Sequence, residues 1–336
     1  MDEFKKFLDP KNDLAFKRIF GKDKNKNILI HFLNDVLYHV PHPAIAQPVS
    51  SVTFIPTILD PEIAAQRVSI VDVFCEDIKG RHFIIEMQIG NELGFEKRAQ
   101  YYAARAYLEQ RNKPAKRTKK KEEGLRSYKD LQEVIFLAIL KAYTLPDDDE
   151  DECISHHHIL NIKTQKRQLK DFSFSFITLK KFTKKKNELS TIVDKWLYFF
   201  KHASELTPSD LPLVTGKDKA LIKAYEELDR VGWTEEELRA YHSIEMKREA
   251  DKAILEGAMQ EGMQIGLEKG EQIGLEKGEQ IGLEKGEQIG LKKGEQKGQK
   301  KFILQCIQNG MTKKQLSKLL SLSEKAINSI LNDKSL

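Results

Sequence analysis

Asp72 and Glu86 are two acids in neighbouring strand-like runs, residues 68–74 and 82–89, and Gln88 follows Glu86 by two positions. Asp77-Ile78-Lys79-Gly80-Arg81 lies between the runs, so the pattern predicts an antiparallel hairpin with acids near one end. Paired carboxylates of this kind suit phosphodiester hydrolysis. That reaction needs a water made nucleophilic near neutral pH and positive charge to offset what grows on the phosphate and the leaving oxygen. A magnesium ion does both, and it keeps several waters, so one or two carboxylates plus a backbone carbonyl are enough to hold it. Asp72 and Glu86 are the candidate ligands, with the carbonyl of Met87 as a third oxygen. Because a strand has period two, Gln88 points toward whatever Glu86 binds. The alternative is that both acids are ordinary polar positions on a solvated face. Against it, Glu86 follows Phe83-Ile84-Ile85 and precedes Met87, a setting that does not suit a fully exposed side chain.

The elements around the hairpin are legible from periodicity. Residues 12–20 carry apolar side chains at 14, 15, 16, 19 and 20 and stop at Gly21, which predicts a short amphipathic helix. A second helix covers 27–38, and prolines at 41, 43 and 48 end that pattern. Residues 95–108 read as a helix with its apolar face on the sheet. The run 133–140 reads as a strand buried on both faces. Residues 155–162 and 172–179 are further strands, the second half-buried by its clean alternation. From 188 to about 255 the chain is helical.

Gly266-Leu267-Glu268-Lys269-Gly270-Glu271-Gln272-Ile273 then recurs with a period of eight, glycine standing at every fourth position. A step of four overshoots a helical turn by roughly 40°, so the glycine line spirals around a helix. Each glycine also costs about 1 kcal/mol relative to alanine. The repeat is therefore expected to be loosely ordered on its own and to act as a spacer or self-association segment. After it, Asn309-Gly310, Thr312 and Ser323 are a helix stop and two helix caps, which fits a small helical tail, either a helix-turn-helix unit or a plain bundle.

Composition narrows the class. A chain of 336 residues with 40% hydrophobic content suits a folded core with appendages, and the net charge of +5 is modest. The N-terminus lacks an apolar leader and no run approaches the roughly 18 apolar residues of a spanning helix, so a cytoplasmic protein with no membrane contact is expected. Cys75, Cys153 and Cys306 are too scattered for zinc or a disulfide framework. The basic runs 116–121 and 180–186 are solvated loops or nonspecific phosphate contacts. The acidic run 147–152 lacks the spacing of a calcium loop, and His156-His157-His158 would alternate faces on a strand and could not share one metal. Tyr101 and Tyr102 read as helix-packing residues.

The order of helix at 12–20, hairpin with Asp72 and Glu86-Met87-Gln88, helix at 95–108 and strand at 133–140 resembles the PD-(D/E)xK nuclease core. More narrowly, Leu8-Asp9-Pro10-Lys11-Asn12-Asp13-Leu14-Ala15-Phe16-Lys17-Arg18-Ile19-Phe20-Gly21 resembles the opening of the Rpn recombination-promoting nucleases, also labelled PD-(D/E)xK family transposases. The glycine-rich repeat and helical tail extend the likeness over nearly the whole chain.

That resemblance implies an α/β fold, a restriction-endonuclease-like core in which helices flank a mixed central sheet, with an α-helical C-terminal extension. The expected division is a core over 1–185, a helical extension over 186–256, the repeat over 257–298 and the tail over 299–336. It implies a divalent-metal-dependent DNA endonuclease of bacterial mobile elements that promotes recombination. Magnesium would be its ion, with manganese or calcium as alternatives, and no small-molecule cofactor is expected. DNA would be the partner, at the nucleoid when bound, and a homodimer would supply two sites for two strands. In this reading Asp72 and Glu86 hold the metal, Gln88 stands in the place of the motif's lysine, and Asp13 supports the metal or its water. Glutamine there is a departure, since a neutral amide can only hydrogen-bond. Lys17, Lys97, Arg98 and Arg105 are the candidates to supply the missing charge and to contact DNA. The competing class is a catalytically degenerate DNA-binding or scaffold protein of a mobile element.

Overall fold

The computed structural model describes residues 6–56, 71–112, 127–146, 148 and 151–333. Helix α1 (Asp13–Phe20) starts where the Asn12 side chain accepts the N–H of Leu14, and it buries Ala15, Phe16, Ile19 and Phe20. It stops at Gly21, where a Cβ would lie 2.9 Å from the carbonyl oxygen of Lys17. Helix α2 (Lys26–Leu37) follows and buries Ile28, Leu29, Phe32, Leu33 and Val36.

Strand β1 (Val52–Phe54) leads to β2 (Val73–Asp77) and β3 (His82–Gln88), which form the expected antiparallel hairpin in the register Val73↔Ile85. Its bounds differ from the sequence expectation. The strand begins at Val73, so Asp72 stands at its entrance, and residues 68–70 fall outside the described residues. Asp77, expected in the turn, ends the strand, and its carboxylate holds the Arg81 guanidinium at 2.7 Å across a turn whose Gly80 has φ +84°. Helix α3 (Phe95–Asn112) then precedes strands β4 (Val134–Leu140), β5 (Ile154–His158) and β6 (Phe172–Thr178).

The sheet order is β1-β2-β3-β4-β6-β5, with β3, β4 and β6 parallel and the outer strands antiparallel. β4 is buried along its whole length, as its unbroken apolar run requires. β6 departs from expectation. Its serines, Ser173 and Ser175, are fully buried whereas Phe172 and Phe174 are half-buried. The polar stripe is satisfied by the neighbouring strand: His158 Nε2 lies 3.1 Å from Ser173 Oγ, and His156 Nδ1 lies 2.8 Å from Ser175 Oγ. His157 turns to the other face, against Phe176, so the three histidines do alternate.

Helices α4 (Ile192–His202), α5 (Leu211–Thr215) and α6 (Lys219–Leu228) come next. One face of the sheet, with Val73, Phe83, Ile85, Leu137 and Ile139, shares a core with α1, α2, α4 and α6. Phe20, Phe32, Trp196 and Phe200 form its aromatic centre, and the Trp196 indole donates to Asp35 Oδ2 at 2.8 Å. The helices expected as an extension after 186 thus form a layer of the core itself. The other face, with Phe74, Ile84, Phe136 and Ala138, lies under α3 through Phe95, Ala99, Ala103 and Ala106. This is a mixed α/β sheet flanked by helices.

Helix α7 (Glu235–Gln308) runs through the glycine repeat without a break, where a loosely ordered tract was expected. Leu, Glu, Lys, Gln and Ile between the glycines are good or fair helix formers. Beyond the helix's own adjacent backbone, no atom lies within 4 Å of a Cβ built on any glycine from Gly257 to Gly298, so these glycines make room for nothing else among the described residues. Helices α8 (Lys313–Leu320) and α9 (Glu324–Asn332) have the expected caps at Thr312 and Ser323 and enclose a small core of Ile303, Leu316 and Ile327. By contact, the chain forms two compact units, Met1–Glu249 and Ala250–Leu336.

The three cysteines are free. Among the described residues no helix is long and apolar enough to cross a membrane. The basic run 116–121 lies outside the described residues. In the run 180–186, Lys181, Lys184 and Lys186 pair with Asp148, Asp194 and Asp210, so those three already have carboxylate partners.

Candidate active site

Entry to β2 and the last residues of β3 meet side by side, because the ladder pairs Val73 with Ile85 and Asp72, one residue before it, comes beside Glu86 and Met87. The two acids are interlocked through the backbone. Asp72 N–H donates to Glu86 Oε2 at 3.2 Å, and Met87 N–H donates to Asp72 Oδ2 at 2.9 Å. In the parallel ladder with β4, Gln88 uses its own carbonyl to accept from Lys141 N–H at 2.9 Å. Adjacent residues of a strand direct their backbone groups to opposite sides, so the Met87 carbonyl turns to the Asp72 side.

Glu86 is 9% exposed and Gln88 7%. Burial, and then the charge of Asp72, push the Glu86 carboxyl up to about 8. Burial is also the main cause raising Asp72, with the charge of Asp13 adding to it and Lys17 opposing it. Two carboxyls in one desolvated corner resist joint ionisation unless a cation compensates them. Near neutral pH Glu86 holds its proton.

The basic candidates separate cleanly. Lys17 lies one turn beyond Asp13 on α1, and its Nζ is 3.6 Å from Asp72 Oδ1. On α3, the buried stripe of Phe95, Ala99 and Ala103 sets the helix against the sheet and leaves Arg98 on its flank. There Arg98 donates to Gln88 Oε1 and to Glu92, while Gln88 Nε2 donates to the Gly90 carbonyl at 2.9 Å. Both ends of the Gln88 amide are engaged: the oxygen holds the guanidinium and the nitrogen is tied to the backbone. Lys97 is exposed. Arg105 pairs along its own helix with Glu109 and the Tyr101 hydroxyl. Lys17 and Arg98 meet the acid pair and its glutamine; Lys97 and Arg105 are not brought to them by any described contact.

Two neighbours were not foreseen as site residues. Tyr102 follows Arg98 by one turn, and its phenol is held protonated above the usual range by burial and then by the charge of Glu86. The spacing of four from Arg98 was the available signal. Asp13 is bound by Arg248 of α7, whose Nη2 donates to Asp13 Oδ1 at 2.7 Å. A contact across 235 positions leaves no trace in local sequence.

Among the described residues no three His, Cys, Asp or Glu side chains converge as a metal cage. Asp72 and Glu86 are instead a two-carboxylate set beside a backbone carbonyl. That set fits a magnesium-like ion, which takes oxygen ligands and retains its waters. It does not fit a structural zinc site, which takes four Cys or His ligands.

The family model that describes a PD-(D/E)XK nuclease family transposase matches residues 10–258, more than half of the chain. No curated protein matches the chain and no solved structure does.

Proposed function

Because the chain belongs to the PD-(D/E)XK nuclease family transposases, we propose that it is a divalent-metal-dependent DNA endonuclease that cuts phosphodiester bonds and promotes recombination, with magnesium as its ion. The observation that carries the reading is the interlock of Asp72 and Glu86, one half-buried and one buried acid whose charges oppose each other and favour a shared cation. Asp72 and Glu86 would hold the ion, with the Met87 carbonyl as a third oxygen. When bound, such an ion lowers the pKa of water and offsets charge developing on phosphate.

The remaining roles belong to this chain's own side chains. Glu86 would bind the ion as its carboxylate, giving up its proton to solvent. Arg98 and Lys17 supply fixed positive charge beside the acids, where a phosphate oxygen gains most from it. Gln88 does not replace the motif's lysine as a charge; it tethers Arg98. Tyr102, kept protonated, offers a neutral O–H donor on the same flank of α3.

Cutting both strands at once asks for two sites, so a homodimer fits this activity, and the glycine repeat of α7 is the segment assigned to self-association. Deleting 257–298 is then expected to lower the number of subunits per particle found by light scattering; an unchanged subunit number removes that assignment. A plasmid-nicking assay with magnesium, manganese and calcium tests the activity itself. Asp72→Ala and Glu86→Ala should leave no product while the chain still folds. Full, EDTA-sensitive cleavage by either purified variant would falsify the assignment. The neutral Gln88 is the one observation that favours a catalytically degenerate DNA binder, which predicts salt-sensitive binding with no metal-dependent product.

A further inference from the structure

Asp13 and Lys17 stand four residues apart on α1 and therefore share one face of that helix. Lys17 reaches Asp72, and the charge of Asp13 is felt by Asp72 as well. Yet no third acid joins Asp72 and Glu86 within metal-binding reach among the described residues. The carboxylate of Asp13 is otherwise occupied. Arg248 Nη2 donates to Asp13 Oδ1 at 2.7 Å, and both terminal nitrogens of the same guanidinium lie 3.4–3.5 Å from the Lys11 carbonyl.

From this arrangement we propose that Arg248 is a built-in counter-cation that competes with the divalent ion for Asp13. Asp13 joins Asp72 and Glu86 at the metal, or at its water, when the guanidinium gives way. The inference rests on the metal-dependent reading above. Its energetics favour exchange. The pair is partly solvated, at 48% exposure for Asp13 and 32% for Arg248, and ion pairs of that kind are weak. A doubly charged ion beside three acids is a stronger partner than one guanidinium. The released guanidinium also keeps its anchor at the Lys11 carbonyl, so it remains at the edge of the site.

Removing Arg248 should thus tighten metal binding, because it frees the Asp13 carboxylate for the ion. The experiment is titration calorimetry of the full chain with manganese and, separately, calcium, for wild type, Arg248→Gln, Arg248→Lys, Asp13→Asn and the Asp13→Asn/Arg248→Gln pair. Arg248→Gln should bind about 2- to 5-fold more tightly at low salt, as expected when one partly solvated ion pair no longer competes for Asp13. Arg248→Lys should stay close to wild type, and Asp13→Asn should abolish the gain. Circular dichroism melts without metal confirm that each variant folds, as the partial exposure of the pair predicts. Unchanged or weaker binding by Arg248→Gln overturns the proposal, and weaker binding would make Arg248 an orienting residue instead. A gain that survives Asp13→Asn overturns it too, since general electrostatics would then be the cause. Absence of binding by wild type and every variant would overturn the metal-dependent reading on which it stands.

Discussion

Arg98 donates to the amide oxygen of Gln88, and the nitrogen of that amide is spent on the Gly90 carbonyl. A neutral side chain two positions beyond Glu86 thereby holds a cation on that flank of the site. The charge comes from α3 and the anchor from β3.

Arg98→Ala should lower the cleavage rate by about 100-fold, in the range found when one preorganised donor to a developing anion is removed. Arg98→Lys should recover part of it, since the charge returns without the fork. Gln88→Ala should cost less, because Arg98 keeps Glu92 as a partner. Single-turnover cleavage at saturating metal measures all three; a rate for Arg98→Ala equal to wild type would show that the guanidinium is only structural.

The Glu86 carboxyl, raised to about 8 from an ordinary 4.5, makes two processes depend on pH. Metal affinity should rise with pH up to about 8, because the proton and the ion compete for one carboxylate. Stability of the metal-free chain should move the other way. The folded state binds the extra proton, so this contribution is fully present below about 4.5 and is lost as pH rises to about 8. Glu86→Gln should therefore raise the Tm measured near pH 8 with chelator present and flatten its fall between pH 5 and 8. A metal-free Tm equally steep in the variant would contradict the assignment of that proton to Glu86.

Phe200 touches Phe16, Phe20, Phe32 and Trp196 at the centre of the larger core. Phe200→Ala should cost about 3–5 kcal/mol, the usual loss for a buried aromatic truncated to alanine. By the same packing, a chain ending at 185 should fail to fold, whereas one ending near 256 should melt cooperatively. Chemical denaturation followed by circular dichroism separates the outcomes, and a cooperatively folded 1–185 fragment would refute this account of the core.

Ten glycines fall at four-residue steps from Gly262 to Gly298, each with open space around it. They cost a helix about 10 kcal/mol in total relative to alanine. A synthetic peptide spanning 262–298 should accordingly be mostly unfolded at 25 °C, and alanine at alternate glycines should raise its helicity sharply. Far-ultraviolet circular dichroism is the readout; a fully helical wild-type peptide at micromolar concentration and unassociated would show that the tract needs no support.

The sequence alone determined what periodicity and local chemistry encode. Helices α1, α2 and α3, the hairpin, and the doubly buried β4 follow from the spacing of apolar residues and from caps and stops such as Asn12 and Gly21. It also determined that Asp72, Glu86 and Gln88 lie at neighbouring points of one hairpin, since pairing register is a local property. Only the tertiary structure decided the rest. Arg98 was chosen over Lys97 and Arg105 by the alanine stripe that sets α3 on the sheet, an angle no linear pattern states. The layer supplied by Trp196 and Phe200, and the hold of Arg248 on Asp13, join residues from 161 to 235 positions apart. Such contacts depend on how whole elements pack, and that is fixed by summed burial over the molecule, not by any window of the chain.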